Sequence, residues 1–523
     1  MRQIKHRHLK QLVLLLICLF IVPAALSGCG SGQKEDPHAN IQSPADLNDP
    51  GYTLGVINGT ISGPAAEEKI PEAKVDYFNS AVDLITALET GKIDAAVDDN
   101  TSFLYYNMRA GDTLRLLDEY LVDYQLGYAF SKSDEGRELA SQVSEYIEKI
   151  RADGTLEEVN KTWLTSEGSA EMAVDYTSLP ATNGTLRIAT TGTYPPFTYV
   201  EDGIAVGFDM DVLARFCKEY GYAMTVSTMN FDGLIPAVSS GKCDIAASEI
   251  GITEERKESV EFSASYYEGG TAVALFDPNA AASKGFFEKL KESFNKTFIR
   301  ENRYKMFISG ILTTLLITLL SALFGTVLGF AVYMMCRGGN KAANLITKVC
   351  IWLLQMLPVV VLLMLFYYLV FAKAQVTGVF VAIVAFTLTF AAAVFSNLKS
   401  SVSAIDRGQT EAAYALGYGN LQTFFSMVLP QALVYFLPSY KSELVSLIKA
   451  TAVVGYIAVQ DLTRMGDIVR SRTYEAFFPL IAVAVIYIIM ALILIFLVDR
   501  IEIKVDPKRR KREDILKGVK TDD

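Results

Sequence analysis

EAAYALGYGNLQTFFSMVLP, Glu411–Pro430, is a polar island between strongly apolar stretches. Its order is Glu-Ala-Ala, three residues, Gly417, nine residues, then Met427-x-Leu429-Pro430. Ala412 and Ala413 allow a helix to pack closely, and Gly417 allows a sharp turn. Pro430 suits the first turn of a second helix, where a missing N–H costs nothing. The segment therefore reads as helix, turn, helix, set between membrane spans.

That spacing resembles the EAA loop of ABC-importer permeases, the cytoplasmic helix-turn-helix that docks on the ATPase subunit. The resemblance implies docking through Glu411, Ala412, Ala413, Gly417, Leu429 and Pro430.

The 523 residues are 51% hydrophobic, but the apolar residues are unevenly spread, which argues for more than one domain. Up to about Lys305 the chain reads as a soluble α/β protein after a short leader. From Ile308 it carries apolar runs of roughly 20 residues, the length that spans a bilayer. These are Ile308–Cys336, Ile346–Phe371, Gly378–Val394, Leu444–Val459 and Phe477–Val498. The fourth is short and contains Lys449. A net charge of −10 argues against nucleic acid as a partner.

Residues 1–29 read as a leader: Arg2, Lys5, Arg7 and Lys10 precede the apolar run Leu12–Val22. Leu26-Ser27-Gly28-Cys29 resembles the lipobox of bacterial lipoproteins, which implies a lipid on Cys29. An uncleaved anchor helix is the other reading, and either places the following residues outside the cytoplasm. Residues 30–43 then form a linker. Of six cysteines only Cys217 and Cys243 share the soluble region, each in an apolar pattern that favours two buried thiols over a bridge. No spacing suggests a metal site.

The basic tail 501–523, with Lys508–Arg512, belongs in the cytoplasm by the positive-inside rule. Counting five spans back from it puts the 411–430 loop inside and the soluble region outside. One segment conflicts: Asp461–Glu475 falls outside yet carries Arg464, Arg470 and Arg472.

Residues 184–276 open with the strand Leu186–Thr190 and the turn Tyr194–Phe197. Gly207–Val212 follows, starting a helix with acids in its first turn, where the dipole favours them. Then come Phe231–Pro236, Gly241–Ile245 and Ser248 through Thr253 to Arg256. This ordered series resembles the first lobe of the family 3 extracellular solute-binding proteins, which serve polar amino-acid importers. Residues 44–170 resemble the second lobe: a strand Tyr52–Ile57, the turn Asn58-Gly59-Thr60, Gly91–Asp99, and Ala152–Leu164 as the closing helix pair. The lobes stand in reversed order. One circularly permuted domain and two half-lost binding proteins are the alternatives. Permutation is favoured, because each lobe type occurs once and chain ends at a surface tolerate it.

The resemblance implies a two-lobed α/β binding domain joined to an all-α, multi-pass permease domain, 308–500, of the type I ABC importer fold with about five helices. It implies a histidine-, glutamine- or arginine-type importer. A free amino acid presents a carboxylate, an ammonium and a side chain, which call for a bidentate cation, an acid and a shaped wall. By resemblance Arg256 grips the carboxylate, aided by backbone donors near Gly251 and by Thr60 or Ser62. Asp99, or its neighbour Asp98, takes the ammonium. Tyr194 and Phe231 stack on the side chain or serve as core aromatics, and Glu249 favours a cationic ligand.

Phe286, Leu290, Phe294 and Phe298 recur at helical spacing within 280–305, which predicts an amphipathic helix on the membrane surface or a solvated linker helix. No G-x-x-x-x-G-K-[ST] occurs, so ATP is expected on a separate ATPase subunit and no cofactor or catalytic residue on this chain. A second permease copy, as a homodimer or a similar partner, would complete a bacterial cytoplasmic-membrane importer. The alternative class is a ligand-gated channel or membrane sensor with an amino-acid-binding ectodomain. Val453-Val454-Gly455-Tyr456 resembles a potassium filter only in part, because Ile457 replaces its second glycine.

Overall fold

Thr53–Ile57 and Ala95–Asp99 are short apolar runs buried almost throughout, the pattern of parallel strands covered on both faces. They pair in parallel, with Val56 opposite Val97, and Lys74–Phe78 flanks the first. The computed structural model describes residues 38–505 apart from 111, 166–169, 279–285, 340, 373, 375 and 476. The expected leader with Cys29, most of the linker 30–43 and the tail beyond 505 lie outside the described residues.

The chain divides into two compact units. Among the described residues, the first holds those up to 309 together with those of 372–375 and 455–483. It contains two main sheets. In one the strand order is Lys74–Phe78, Thr53–Ile57, Ala95–Asp99, Tyr267–Phe276, Leu114–Leu116, and Val122–Leu126 also pairs with Tyr267–Phe276. In the other the order is Ala223–Thr228, Thr185–Thr190, Ile245–Ala246, Ala129–Phe130, Glu261–Phe262.

These sheets correct the expected lobe boundaries of 44–170 and 184–276, because each sheet takes strands from both stretches. Tyr267–Phe276 runs antiparallel to Ala95–Asp99, with Val273 opposite Val97, in the centre of the first sheet. Ala129–Phe130 pairs with Ile245–Ala246 and Glu261–Phe262 in the second. The helix Asp134–Ala152 buries Ala140, Val143, Ile147 and Ile150, and Thr155–Leu164 buries Leu156, Val159 and Trp163. Both join the core of Phe197, Phe208 and Phe216. Amphipathic spacing shows that a helix has a partner surface, not which one. The lobes are therefore about 38–126 with 267–277, and 129–265. The chain crosses between them twice, near Gly127 and near Tyr266, and the crossings are bonded to each other through Tyr266 N–H to Leu126 O at 3.0 Å. Two lobes on a pair of adjacent strands form a hinge.

Cys217 and Cys243 are free and buried. Around the expected amphipathic helix, Phe286–Phe294 is helical and passes into a wider π-turn, Asn295–Ile299. Phe294 and Phe298 meet Phe478 edge-on, each at 6.3 Å. One flank is thus covered by protein.

The second unit is helical. Among the described residues four helices are long and apolar enough to cross a membrane: Tyr304–Arg337, Gly378–Ser403, Asn420–Ile457 and Phe477–Val505. The expected span Ile346–Phe371 is two helices, Lys341–Met356 and the run from Val359, bent by 108°. Pro358 lies at the break, where it removes an N–H and disfavours helical geometry in the residue before it. The expected span Leu444–Val459 is shifted: the helix Leu429–Ala450 ends in a 3₁₀ segment, Thr451–Ile457. That segment contains the filter-like Val453–Tyr456, whose geometry directs carbonyls to i+3 partners rather than to a pore.

Candidate functional site

The strand Ala95–Asp99 ends with two buried acids, and Asn100 starts a helix immediately after them. Across the cleft, the stretch following Ile245–Ala246 carries Ser248, Glu249 and Gly251, and Thr253 caps the short helix that holds Arg256 by accepting from its N–H. Between the lobes lies a cavity of about 320 Å³, within the range of small-ligand sites. It is lined by Thr60, Asp99, Tyr194, Phe231, Glu249, Gly251 and Arg256, so the structure brings seven of the eight expected residues together. Ser62 is the exception. It is buried in the first turn of the helix Ser62–Lys69, behind Ile61, which takes the wall position.

Arg256 spans the cleft. Its Nη1 donates to Gly251 O at 2.6 Å and its Nη2 to Gly59 O, on the other lobe, at 2.7 Å. The guanidinium lies 5.6 Å from the Phe231 ring centre, a cation–π distance. Gly251 thus offers Arg256 an acceptor, where the sequence suggested donors. A Cβ at Gly251 would stand 3.2 Å from Ile61 and 3.5 Å from Arg256 Nη1, so a side chain there would crowd the site. An arginine carries five N–H donors, so two such bonds leave others for a carboxylate.

Three carboxyls beside the cavity are buried, Asp98, Asp99 and Glu249; Asp99 and Glu249 line it, and Asp99 feels the Arg256 charge. Tyr194 Oη donates to Asp98 at 2.6 Å and reaches Asp99 at 3.3 Å, which makes it a clamp on both acids. Thr101 Oγ1 donates to Glu249 Oε1 at 3.0 Å. No donor among the described residues reaches Asp98 Oδ2 or Glu249 Oε2. Glu249 also sits at φ +50°, a left-handed conformation that a non-glycine residue adopts at a cost and that clusters at binding sites. Burial pushes the Asp99 carboxyl up to about 6, against tyrosine hydrogen bonds and the Arg256 charge. Burial, and then the charge of Asp99, hold both Asp98 and Glu249 well above the ordinary carboxylate range. An acid cluster held this way is relieved by a cation.

Sequence reasoning missed Thr101, Thr191 and Ser248, and above all the helix Leu462–Thr473. Arg464, Asp467, Arg470 and Ser471 of that helix also line the cavity. The available signal was the conflict in charge: three arginines on a segment assigned to the outside.

The 411–430 loop is a helix, Arg407–Ala415, followed by a left-handed turn and the helix from Asn420. Asp406 caps the first helix by accepting from Gly408 N–H at 2.7 Å. Gly417 has φ +84°, and two bonds close the helix end, Gly417 N–H to Tyr414 O at 2.9 Å and Tyr418 N–H to Ala413 O at 3.1 Å. This is the Schellman arrangement, in which glycine takes the left-handed position. Ala413 is buried, while Glu411, Ala412 and Pro430 are exposed. Pro430 does not start a helix as expected. The helix already runs from Asn420 and widens into a π-turn at Phe424–Val428 just before Leu429 and Pro430, which makes room for a ring that an α-turn would exclude.

Residues 186–410 match the family described as bacterial extracellular solute-binding proteins, family 3, and residues 325–511 match the binding-protein-dependent transport system inner membrane component. A permease protein of Rickettsia conorii named for a glutamine transport system is 30% identical over 223 residues, 42% of this chain and 98% of that protein. The arginine transport system permease protein of Bacillus subtilis is 32% identical over 204 residues, 38% of this chain and 91% of its own. A solved structure described as an amino acid ABC transporter with histidines covers 43% of this chain and 100% of its own, at 28% identity and a TM-score of 0.37. The chain thus belongs to the inner-membrane components of binding-protein-dependent transport systems, and it joins to that component a solute-binding domain of family 3.

Proposed function

We propose that this chain is both the capture and the permeation subunit of an ABC importer for a polar amino acid. The observation that carries this reading is the interlobe cavity that sets Arg256 against Asp99 and Glu249, in a chain that continues into a permease. Arg256 takes the α-carboxylate, Asp99 with Asp98 the α-ammonium, and Tyr194 and Phe231 the flanks of the side chain. Arg464 and Arg470 are engaged by backbone carbonyls, Asn230 and Asp83. Asp99 and Glu249, which line the cavity with Asp98 behind them, therefore favour a side chain that is itself cationic, with Glu249 as its partner.

A separate ATPase supplies the energy by docking on the 411–430 loop, where Tyr414, Leu416, Leu421 and Phe425 expose apolar surface. Two copies of the chain, or one with a similar permease, complete the pathway. The binding domain lies outside the cytoplasmic membrane and the basic tail inside. Reconstitution in liposomes with the cognate ATPase tests the reading: ATP-dependent uptake of arginine, lysine, histidine or glutamine is expected. A ligand-gated current without ATP would replace it.

Binding should depend on pH. An ammonium needs the ionised acid, and a group with a pKa of about 6 is roughly nine-tenths ionised at pH 7 and one-tenth at pH 5. Affinity for the amino acid should thus fall about tenfold between those values, and Asp99→Asn should flatten the profile. Fold stability should move the other way. The folded pKa of Asp99 is raised from the ordinary 3.8 to about 6, so its ionisation costs stability that builds up between those pH values and is full above about pH 6, and acidification removes it. Titration calorimetry and melting curves at both pH values separate the two effects.

A further inference from the structure

The helix Leu462–Thr473 lies in sequence between the last two membrane-crossing helices, yet folds with the binding domain. Asp461 caps it, accepting from Arg464 N–H at 3.0 Å and Thr463 N–H at 3.1 Å. It grips the lobe 129–265 along its whole length, from Arg464 to Arg472. Arg464, itself buried, donates to Asn230 Oδ1 at 3.0 Å, Met229 O at 2.8 Å and Thr191 O. Beside it, Gln460 Nε2 donates to Thr228 Oγ1 at 3.0 Å. Arg472 pairs with Glu201 and lies 4.9 Å from the Tyr199 ring, and Met465 and Ile468 pack on Val200.

The same helix grips the other lobe through different residues. Arg470 pairs with Asp83, in the first turn of the helix Ala81–Glu89. Tyr474 sets its ring edge-on to Tyr106 at 5.0 Å. Six residues separate Arg464 from Arg470, a rise of about 9 Å along one rigid helix. The two lobes are joined to each other by two strand crossings, which permit hinging. A rigid element bonded to both lobes fixes their separation, so opening the cleft must break one grip. Because Arg464, Asp467, Arg470 and Ser471 also form a wall of the cavity, that element lies against the ligand site.

We propose that the helix Leu462–Thr473 is an interlobe latch, a segment of the permease half of the chain that holds the closed binding domain by both lobes and walls in the ligand. The proposal rests on the amino-acid-binding reading above. It places the contact that reports lobe closure directly between two membrane helices in sequence, and makes Arg470 and Asp83 its releasable half. The Arg464 grip, spent on backbone carbonyls, is the permanent one.

The test uses the full chain in lipid nanodiscs with radiolabelled L-arginine, L-lysine, L-histidine and L-glutamine as probes. If none binds the wild type, the amino-acid reading fails, and the latch with it. Given a bound probe, its dissociation rate is compared among wild type, Asp83→Arg, Arg470→Asp, the doubly swapped chain and the milder Arg470→Gln. The expected result is dissociation at least about tenfold faster in each single variant, and a swapped pair within about threefold of wild type, since a pair of charges is coupled while a general loss of folding is not. A probe that binds with an unchanged dissociation rate in the single variants overturns the latch. So does a swapped pair no better than the single reversals.

Discussion

Arg256→Ala is expected to weaken amino-acid binding by about a thousandfold or more. Arg256 is half-buried and holds both lobes, through Gly251 O on one and Gly59 O on the other. Removing it leaves a bound carboxylate without its counter-charge and the two carbonyls without their donor. Breaking a buried pair costs roughly 3–5 kcal/mol, and each 1.4 kcal/mol is a factor of ten in affinity. Arg256→Lys keeps the charge but loses the planar fork, so an intermediate loss is expected. Calorimetry on the full chain reads both variants. Affinity within a few-fold of wild type in Arg256→Ala would remove this residue from the site.

Gly417→Val is expected to abolish most transport while leaving capture untouched. The position is open, with no atom within 4 Å of a built Cβ, so the obstacle is backbone conformation and not space. At φ +84° an L-residue pays roughly 1–2 kcal/mol, and a β-branched one more, so the turn shifts instead. A shift breaks the Tyr418–Ala413 and Gly417–Tyr414 bonds and re-aims the helix Arg407–Ala415 against the helix from Asn420. Beyond the turn, two long contacts join the halves of the hairpin, Gln431 to Gln409 at 3.3 Å and Tyr414 Oη to Asn420 Oδ1 at 3.5 Å. Uptake and ligand-stimulated ATP hydrolysis should fall by about tenfold or more, since 1.4 kcal/mol is already one decade. Gly417→Ala should show a smaller loss, and Glu411→Lys, on the exposed face, should impair docking with the turn intact. Coupled uptake at wild-type rates in both Gly417→Val and Glu411→Lys would show that the loop is not the coupling element.

Much of this was legible in the chain because it depends on local chemistry. The turn at Gly417, the paired acids at Asp98 and Asp99, and the membrane helices each announce themselves within about twenty residues. What stayed hidden was long-range assignment. Tyr267–Phe276 falls within the stretch 184–276 that follows one lobe's motifs, and only pairing with Ala95–Asp99 reveals that it belongs to the other lobe. Asp134–Ala152 shows an apolar stripe without naming the core it covers. Pro430 suggests a helix start, since a π-turn that absorbs a proline leaves no mark in composition. Arg464, Arg470 and Arg472 looked like an exception to membrane charge rules, because their partners Asn230, Asp83 and Glu201 lie more than two hundred residues away.

The interlocked strand order has a mechanical consequence. The chain enters the binding domain in the lobe built around Thr53–Ile57 and leaves it from the centre of that same lobe, at Phe276. The lobe 129–265 is therefore a loop-out, reached and left only through the two crossings. From Phe276 to the helix beginning at Phe286 there are nine residues, at most about 30 Å of chain. A pull along the chain after Phe276 therefore acts on the first lobe. The second lobe hangs on its two crossings and on Arg464 of the helix Leu462–Thr473, so its swing is loaded through that helix and not through the residues after Phe276.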